Sequence, residues 1–189
     1  MAQVLLQHLL DERGVEARVH SAGELRSGVP ASPGSVRAMA ARGLDLRHHR
    51  SRTMTAEQLT GADLVVCMAR RHLREAVLAF PDAWPRTFTL KELVRRGELV
   101  GPRPPGLTLQ EWLDQVGEGR RTTDLLGDDP ADDVEDPIGL PDSAYETTAA
   151  ELAELIQRLL DLAFPAPTPA PAAAGGGSAA SSPTVTQEG

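Results

Sequence analysis

Apolar residues follow helical and strand spacings in turn along most of the chain. Four leucines between positions 5 and 10 fall on one helical face, and apolar and polar residues alternate from Val15 to Val19. This pattern predicts a helix followed by a strand. The run DLVVCMA is continuously apolar, as in a strand buried within a parallel sheet, and RTFTL predicts a further short strand.

Helix signals lie between these predicted strands. Apolar residues recur at i, i+3, i+4 and i+7 from residue 73 to 80 and again from 145 to 159. Ser32 precedes Pro33 as a helix cap precedes its first-turn proline. Thr108 with Glu111, and Ser143 with Glu146, have the spacing of capping boxes. Strands that alternate with helices predict an α/β fold with a parallel sheet.

Composition divides the chain into two parts. From Pro165 onward the sequence is rich in Pro, Ala, Gly and Ser and has no large apolar residue except Val185. Such a segment cannot bury enough surface to offset its ordering entropy. We therefore expect one domain over residues 1–164 and a disordered tail over residues 165–189.

Charge and cysteine content narrow the possible functions. The formal net charge of -8 argues against a nucleic-acid surface, which needs a basic stripe. A single cysteine, Cys67, excludes an internal disulfide framework and a multi-cysteine zinc site, and it fits a reducing compartment. No apolar run approaches the roughly 18 residues of a membrane span. We expect a cytoplasmic protein with no cofactor and no metal.

The first predicted helix begins within a few residues of Met1. No strand and no side-chain cap precedes it, although helices of α/β folds normally follow a strand. We therefore expect that the sequence begins in the middle of a supersecondary unit.

Several short motifs occur in a defined order. HSAG spans His20–Gly23, HRSR spans His49–Arg52, ADLVVCMARRH follows, and VEDPIG spans Val134–Gly139. In this order they resemble the low-molecular-weight protein-tyrosine phosphatases. The resemblance implies a three-layer α/β/α fold with a parallel sheet. It also implies an N-terminal truncation, because the family's central first strand and its Cys-x5-Arg loop have no counterpart here.

The resemblance implies roles for four residues. In the family a thiolate attacks phosphorus, and an aspartic acid protonates the departing phenolate and then activates water. This acid corresponds to Asp136, with Pro137 and Ile138 beside it in the substrate-binding loop. Ser21 corresponds to the serine that supports the phosphate loop. The alternatives are an ordinary Asp-Pro turn and a simple turn serine.

Other residues fit chemical roles less well. Leu73 stands six residues after Cys67, where the motif needs arginine, so we interpret Cys67 as a buried structural cysteine. The acidic run from residue 128 to Asp136 lacks the central glycine and closing glutamate of a calcium loop, and we expect it to be a solvated loop. Ile138 stands where many family members have an aromatic residue, which weakens the inference to phosphotyrosine.

Three functions remain open at this point. The first is an authentic protein-tyrosine phosphatase that acts on a phosphotyrosine-containing protein or a small aryl phosphate, without nucleic-acid or membrane partners. The second is a catalytically inactive relative that acts as a binding module. The third is an arsenate reductase, which needs further redox cysteines that these residues do not contain. No role follows from the sequence for the segment at about 91–124.

Overall fold

The computed structural model describes residues 1–23, 27–125, 127 and 129–165. Seven α-helices and two strands are formed in these ranges. They are α1 (Ala2–Glu12), α2 (Pro33–Ala40), α3 (Ala56–Thr60), β1 (Val65–Cys67), α4 (Arg70–Ala79), β2 (Thr87–Thr89), α5 (Leu90–Val100), α6 (Leu109–Val116) and α7 (Asp142–Ala163). Short 3-10 helices span Pro81–Arg86, Thr122–Leu125 and Pro130–Asp132.

The two strands form a parallel pair. Val65 pairs with Thr87, Val66 with Phe88 and Cys67 with Thr89, and α4 lies in the connection between the strands. Parallel strands need such a crossover connection. The predicted α/β class with a parallel sheet is therefore confirmed, although within the described residues the sheet has only these two strands.

The strand predicted over residues 15–19 is not formed. Within the described residues, the nearest ladder contact is an isolated parallel bridge between Gly23 and Thr53. Glutamine side chains of α1 bond its main chain instead: Gln7 Oε1 accepts from the Val19 amide at 3.0 Å, and Gln7 Nε2 donates to Ala17 O at 3.1 Å. The alternation holds for the half-buried Val15 and Val19 but not for Ala17, which is exposed. A strand also needs a neighbouring strand to bond.

Helix α7 is the centre of the main hydrophobic core. Its buried face includes Leu152, Ile156 and Leu159, and α1, α2 and α5 pack along it. The segment at 91–124, which has no role from sequence, supplies α6 and most of α5 to this core. Trp112 is fully buried and donates its indole N–H to Gly101 O at 3.0 Å. The segment at 91–124 therefore contributes two helices to the main hydrophobic core.

Arg120, whose side chain is only 3% exposed, joins the segment after α6 to β2. The guanidinium of Arg120 lies between the rings of Trp84 and Phe88, with its carbon 3.9 Å from each ring centroid. Its Nε donates to Glu92 Oε1 at 2.9 Å, and its Nη2 donates to Thr87 O at 2.8 Å. These contacts fasten the segment after α6 to the strand and to α5.

Helix caps agree with the sequence in two cases and differ in a third. Ser32 caps α2, and Thr108 and Glu111 form the predicted capping box of α6. The box predicted at residues 143–146 is wrong, because α7 begins at Asp142 and has no side-chain cap. Glu146 instead pairs with Arg42 of the α2–α3 region at 2.9 Å, so its carboxylate serves a tertiary contact.

Helix α7 ends at Ala163, close to the domain boundary predicted at residue 164. Residues 166–189 of the predicted tail lie outside the described residues, so the tail and the boundary stay predictions. Within the described ranges, no helix combines the length and the apolar character needed to cross a membrane.

Candidate active site

The loop at residues 134–139 presents Asp136 to solvent from a restrained backbone. The Ile138 amide donates a hydrogen bond to Asp136 Oδ1 at 3.0 Å, so the carboxylate closes a turn over its own main chain. Pro137 is buried, whereas Asp136 is exposed. The proline fixes its own φ and biases the preceding residue toward extended backbone. The carboxylate is therefore held on a stiff turn and stays accessible.

The stem of this loop, residues 132–134, is fastened beyond the carboxyl end of β1. The Val134 amide donates to Met68 O at 2.8 Å, and the Arg70 amide donates to Asp133 Oδ1 at 2.7 Å. The N-cap residue of α4 makes no side-chain capping bond of its own. Asp133 therefore supplies the capping acceptor for α4 from a distant part of the chain.

One residue of the stem is a buried ion-pair partner, where the sequence predicts a solvated acidic loop. Asp132 is 2% exposed. Its Oδ2 lies 3.1 Å from Arg70 Nη1, and its Oδ1 lies 2.6 Å from Arg95 Nη1. The prediction of a solvated loop is wrong at Asp132, because two guanidinium groups satisfy a carboxylate that water would otherwise have to solvate.

Ser21 lies beside the first turns of α1. Its hydroxyl donates to Gln3 Oε1 at 2.5 Å, and Gln3 Nε2 donates to Val19 O at 3.2 Å. The side chain of Ser21 is half-buried. The hydroxyl is thus engaged by a helix side chain in this structure, and its predicted support of a phosphate loop stays a prediction.

A cavity of about 420 Å³ opens beside Ser21. It is lined by polar and basic residues of three segments, namely Gln3, Ser21, Gly28, His48, His49, Arg50, Ser51 and Arg52. Burial, the N-terminal amine and the neighbouring arginines lower the pKa of His49. Among the lining residues, Arg50 and Arg52 bring guanidinium charge to the cavity.

The cavity beside Ser21 includes one of the four predicted site residues. Ser21 lines the cavity, whereas Asp136, Pro137 and Ile138 do not. Ile138 is 68% exposed, two residues after Asp136. Ser21 is therefore the one predicted site residue among those that line this cavity.

Cys67 is buried at the end of β1 and has no character of a nucleophile. Burial, together with the charge of Glu92, raises the pKa of its thiol to about 12. A thiol reacts as the thiolate, so this side chain is inert near neutral pH. Its prediction as a buried cysteine is confirmed.

No cluster of three or more histidine, cysteine or carboxylate side chains is placed to bind a metal within the described ranges. The groups in this region that could act on or bind a ligand are therefore the carboxylate of Asp136 and the basic residues of the cavity.

Four residues that hold the stem of the Asp136 loop were not identified from the sequence, namely Arg70, Arg95, Asp132 and Asp133. One signal was available: Arg70 directly follows an apolar strand run, where open α/β sheets collect functional side chains. Its acidic partners stand more than 60 residues away. No local pattern connects them.

Comparison with known proteins points to one family. A family model described as "Low molecular weight phosphotyrosine protein phosphatase" matches residues 1–100. The chain is 36% identical over 93 residues to "Probable low molecular weight protein-tyrosine-phosphatase EpsP" of Ralstonia solanacearum, an alignment that covers 49% of this chain and 62% of that relative. The matched region is thus less than two thirds of that relative's length.

A further relative and a solved structure show the same likeness. A Bacillus subtilis protein named "Protein-arginine-phosphatase" is 31% identical over 105 residues, which cover 54% of this chain and 69% of the relative. The crystal structure of a low molecular weight protein tyrosine phosphatase from T. tengcongensis superposes with a TM-score of 0.62 at 31% identity, covering 85% of this chain and 87% of that one.

Proposed function

The chain belongs to the low molecular weight phosphotyrosine protein phosphatase family, and on that premise we propose that it serves the hydrolysis of phosphorylated protein side chains with Asp136 as general acid. The observation that carries this proposal is the position of Asp136. Its carboxylate is exposed on a proline-stiffened turn whose stem is bonded beyond the end of β1. Ligands of open α/β sheets bind at this end of the strands.

The proposed role of Asp136 has two steps. The acid donates its proton to the oxygen or nitrogen that leaves phosphorus, so that the departing group is neutral. The resulting carboxylate then removes a proton from the water that hydrolyses the phosphocysteine of the family reaction. Both steps need a carboxyl group that is accessible and fixed in direction, as the turn between Asp136 and Ile138 provides.

The proposal gives this chain the acid and not the nucleophile. Cys67 is the single cysteine among the 189 residues, and its thiol is buried with its pKa raised to about 12, so it stays protonated near neutral pH. Catalysis of the family type therefore needs a Cys-x5-Arg segment in addition to these residues. The basic cavity beside Ser21 supports the proposal from the phosphate side, because Arg50 and Arg52 lend it positive potential.

For the substrate we propose a phosphotyrosine-containing protein, with a small aryl phosphate as the simpler mimic. Relatives named for tyrosine and for arginine phosphatase activity both resemble the chain. Ile138, 68% exposed next to the acid, offers an aliphatic contact in place of an aromatic one. We place the reaction in the cytoplasm, which the lone free cysteine favours.

The experiment supplies the chain with a nucleophilic cysteine and a phosphate-binding arginine. A strand and a Cys-x5-Arg-Ser-Pro segment are joined ahead of Met1, and this protein is called the Cys-loop fusion below. We expect it to hydrolyse p-nitrophenyl phosphate, and we expect D136N to lower kcat by about 10²–10⁴, the usual value of acid–base catalysis. C67S is the matched control and should stay within a few-fold of the unsubstituted fusion.

Two outcomes decide the proposal. A folded fusion in which D136N keeps the full kcat would show that Asp136 is not the acid. The second measurement compares kcat/KM of the fusion on peptides that carry phosphotyrosine and on peptides that carry phosphoarginine. A preference for phosphoarginine would overturn the substrate assignment and leave the acid assignment in place.

A second candidate function is a phosphate-binding module without turnover. The specific observation in its favour is a basic cavity in a chain whose single cysteine is inert. Isothermal titration of the 189-residue chain with a phosphotyrosine peptide tests it, with R52Q as the variant expected to weaken binding. A fusion that folds, binds this peptide and turns nothing over would favour the module over the enzyme.

A further inference from the structure

The acid loop is held in place by a buried ion-pair cluster in its stem. Asp132 is 2% exposed and receives one guanidinium on each carboxylate oxygen, from Arg70 at 3.1 Å and from Arg95 at 2.6 Å. We propose that Asp132 is a positioning residue for Asp136, because it sets the place of the loop that carries the acid. This inference rests on the proposed function of Asp136.

The two arginines come from different parts of the α/β unit. Arg70 opens α4, the helix that follows β1, and Arg95 lies in α5, the helix that follows β2. One carboxylate therefore ties the loop stem to the helices after both strands. The hydrogen bond to Asp132 also raises the pKa of Arg95, which agrees with a strong charge-assisted contact.

The next residues extend this attachment toward the acid. Asp133 Oδ1 accepts from the Arg70 amide at 2.7 Å, and the Val134 amide donates to Met68 O at 2.8 Å. Val134 is 8% exposed. Consecutive residues 132–134 are thus bonded to the β1–α4 junction, and only Glu135 separates them from Asp136. A rigid stem this close to the acid leaves the carboxylate little freedom of position.

We expect the loss of Asp132 to have the largest effect in this cluster, because it pairs with both arginines. Arg70 has a side chain that is only 15% exposed, so it cannot recover full hydration when its carboxylate partner is removed. An asparagine at position 132 keeps the size and one carbonyl oxygen but loses the charge that holds two guanidinium groups. We therefore expect the stem to loosen rather than the whole domain to unfold.

The first test uses the 189-residue chain itself. Amide hydrogen exchange followed by NMR reports the bond from Val134 to Met68 O directly. In D132N we expect faster exchange at Val134, while amides in the middle of α7 keep their protection. The matched control is D161N, since Asp161 also receives an arginine, Arg13 at 2.5 Å, but is 61% exposed and lies at the end of α7.

The second test uses the Cys-loop fusion with two substrates. Phenyl phosphate has a strongly basic leaving group that needs the acid's proton, whereas 2,4-dinitrophenyl phosphate has a leaving group that departs without one. We expect D132N to lower kcat/KM for phenyl phosphate on the order of 10- to 100-fold, the effect of a misplaced catalytic group. The value for 2,4-dinitrophenyl phosphate should hardly change, and D161N should change neither.

The outcomes separate the two proposals. If D136N itself shows no dependence on the leaving group, the proposed function of Asp136 fails. If D136N shows it and a folded D132N does not, or if D132N slows both substrates equally, the positioning role is overturned. Should D132N fold poorly, R95Q replaces it: that variant keeps the contact between Asp132 and Arg70, and it should show the same dependence at smaller size.

Discussion

Replacing Arg120 by methionine is expected to destabilise the domain far more than the same change at its neighbour. Arg120 has a side chain that is 3% exposed and paired with Glu92, whose side chain is 11% exposed. Methionine fills much of the space between the Trp84 and Phe88 rings. It cannot donate to Glu92 or to the main-chain oxygen of Thr87 that Arg120 bonds.

The expected magnitude follows from these contacts. Removing one partner of a buried ion pair costs about 3–5 kcal/mol, because the other charge stays buried. Arg96 also lies 3.2 Å from Glu92 and remains in the variant, so we expect the lower end, about 3 kcal/mol. For a domain of this size, that loss lowers the Tm by about 6–12 °C.

The assay is urea unfolding followed by far-UV circular dichroism and tryptophan fluorescence, on the 189-residue chain and on the Cys-loop fusion. R121M is the matched control, because Arg121 is 77% exposed and lies 3.5 Å from Asp124. A change at such a surface position is usually within about 0.5 kcal/mol. E92Q and the double variant R120M/E92Q complete a thermodynamic cycle, in which we expect the double loss to be smaller than the sum.

One result would refute this reasoning. If R120M and R121M shift the urea midpoint equally, the buried contacts of Arg120 do not stabilise the fold. If the cycle instead shows no coupling between positions 120 and 92, the stabilisation comes from the stacked rings and not from the ion pair.

Three further predictions concern two other buried positions, Gly34 and Cys67. A Cβ added at Gly34 would lie 2.5 Å from the Tyr145 ring, so G34A should destabilise by about 1–3 kcal/mol in thermal melts, while G61A, with ordinary contacts, should not. The pKa of the Cys67 thiol is raised from 9.0 to about 12, so between these pH values the thiol ionises in the unfolded protein but not in the folded one. The free energy of unfolding should therefore fall by up to about 1.4 kcal/mol per pH unit as pH rises from 9 toward 12. This slope should vanish in C67A. The same thiol should resist iodoacetamide at pH 8 until the protein unfolds, and rapid native labelling would contradict its burial.

The sequence was sufficient for features that depend on neighbouring residues. The capping box of Thr108 and Glu111, the helix start at Ser32 and the two strands were all predicted correctly, because side-chain periodicity and local hydrogen bonding decide them. The family resemblance was also visible in short ordered motifs. The Asp136–Pro137 turn is local as well, since its restraint comes from the proline and from an amide two residues away.

The errors lie where a residue's state depends on distant partners. The segment over residues 15–19 has the alternation of a strand but bonds to Gln3 and Gln7 of α1, because no second strand lies beside it in the described residues. The capping box at residues 143–146 fails for the same kind of reason, since Glu146 binds Arg42 across the fold. Backbone and side-chain donors take the partner that tertiary packing brings to them.

Asp132 shows this division most clearly. In the sequence it is one carboxylate of an acidic run, and solvation is the expected state of such a run. Arg70 and Arg95 stand 62 and 37 residues away along the chain, yet folding places both within ion-pair distance of it. The sequence by itself determined the family, several of the helices and the Asp136–Pro137 turn. The tertiary structure alone decided that a buried charge cluster holds this turn in place, because burial and pairing depend on elements that are distant in sequence.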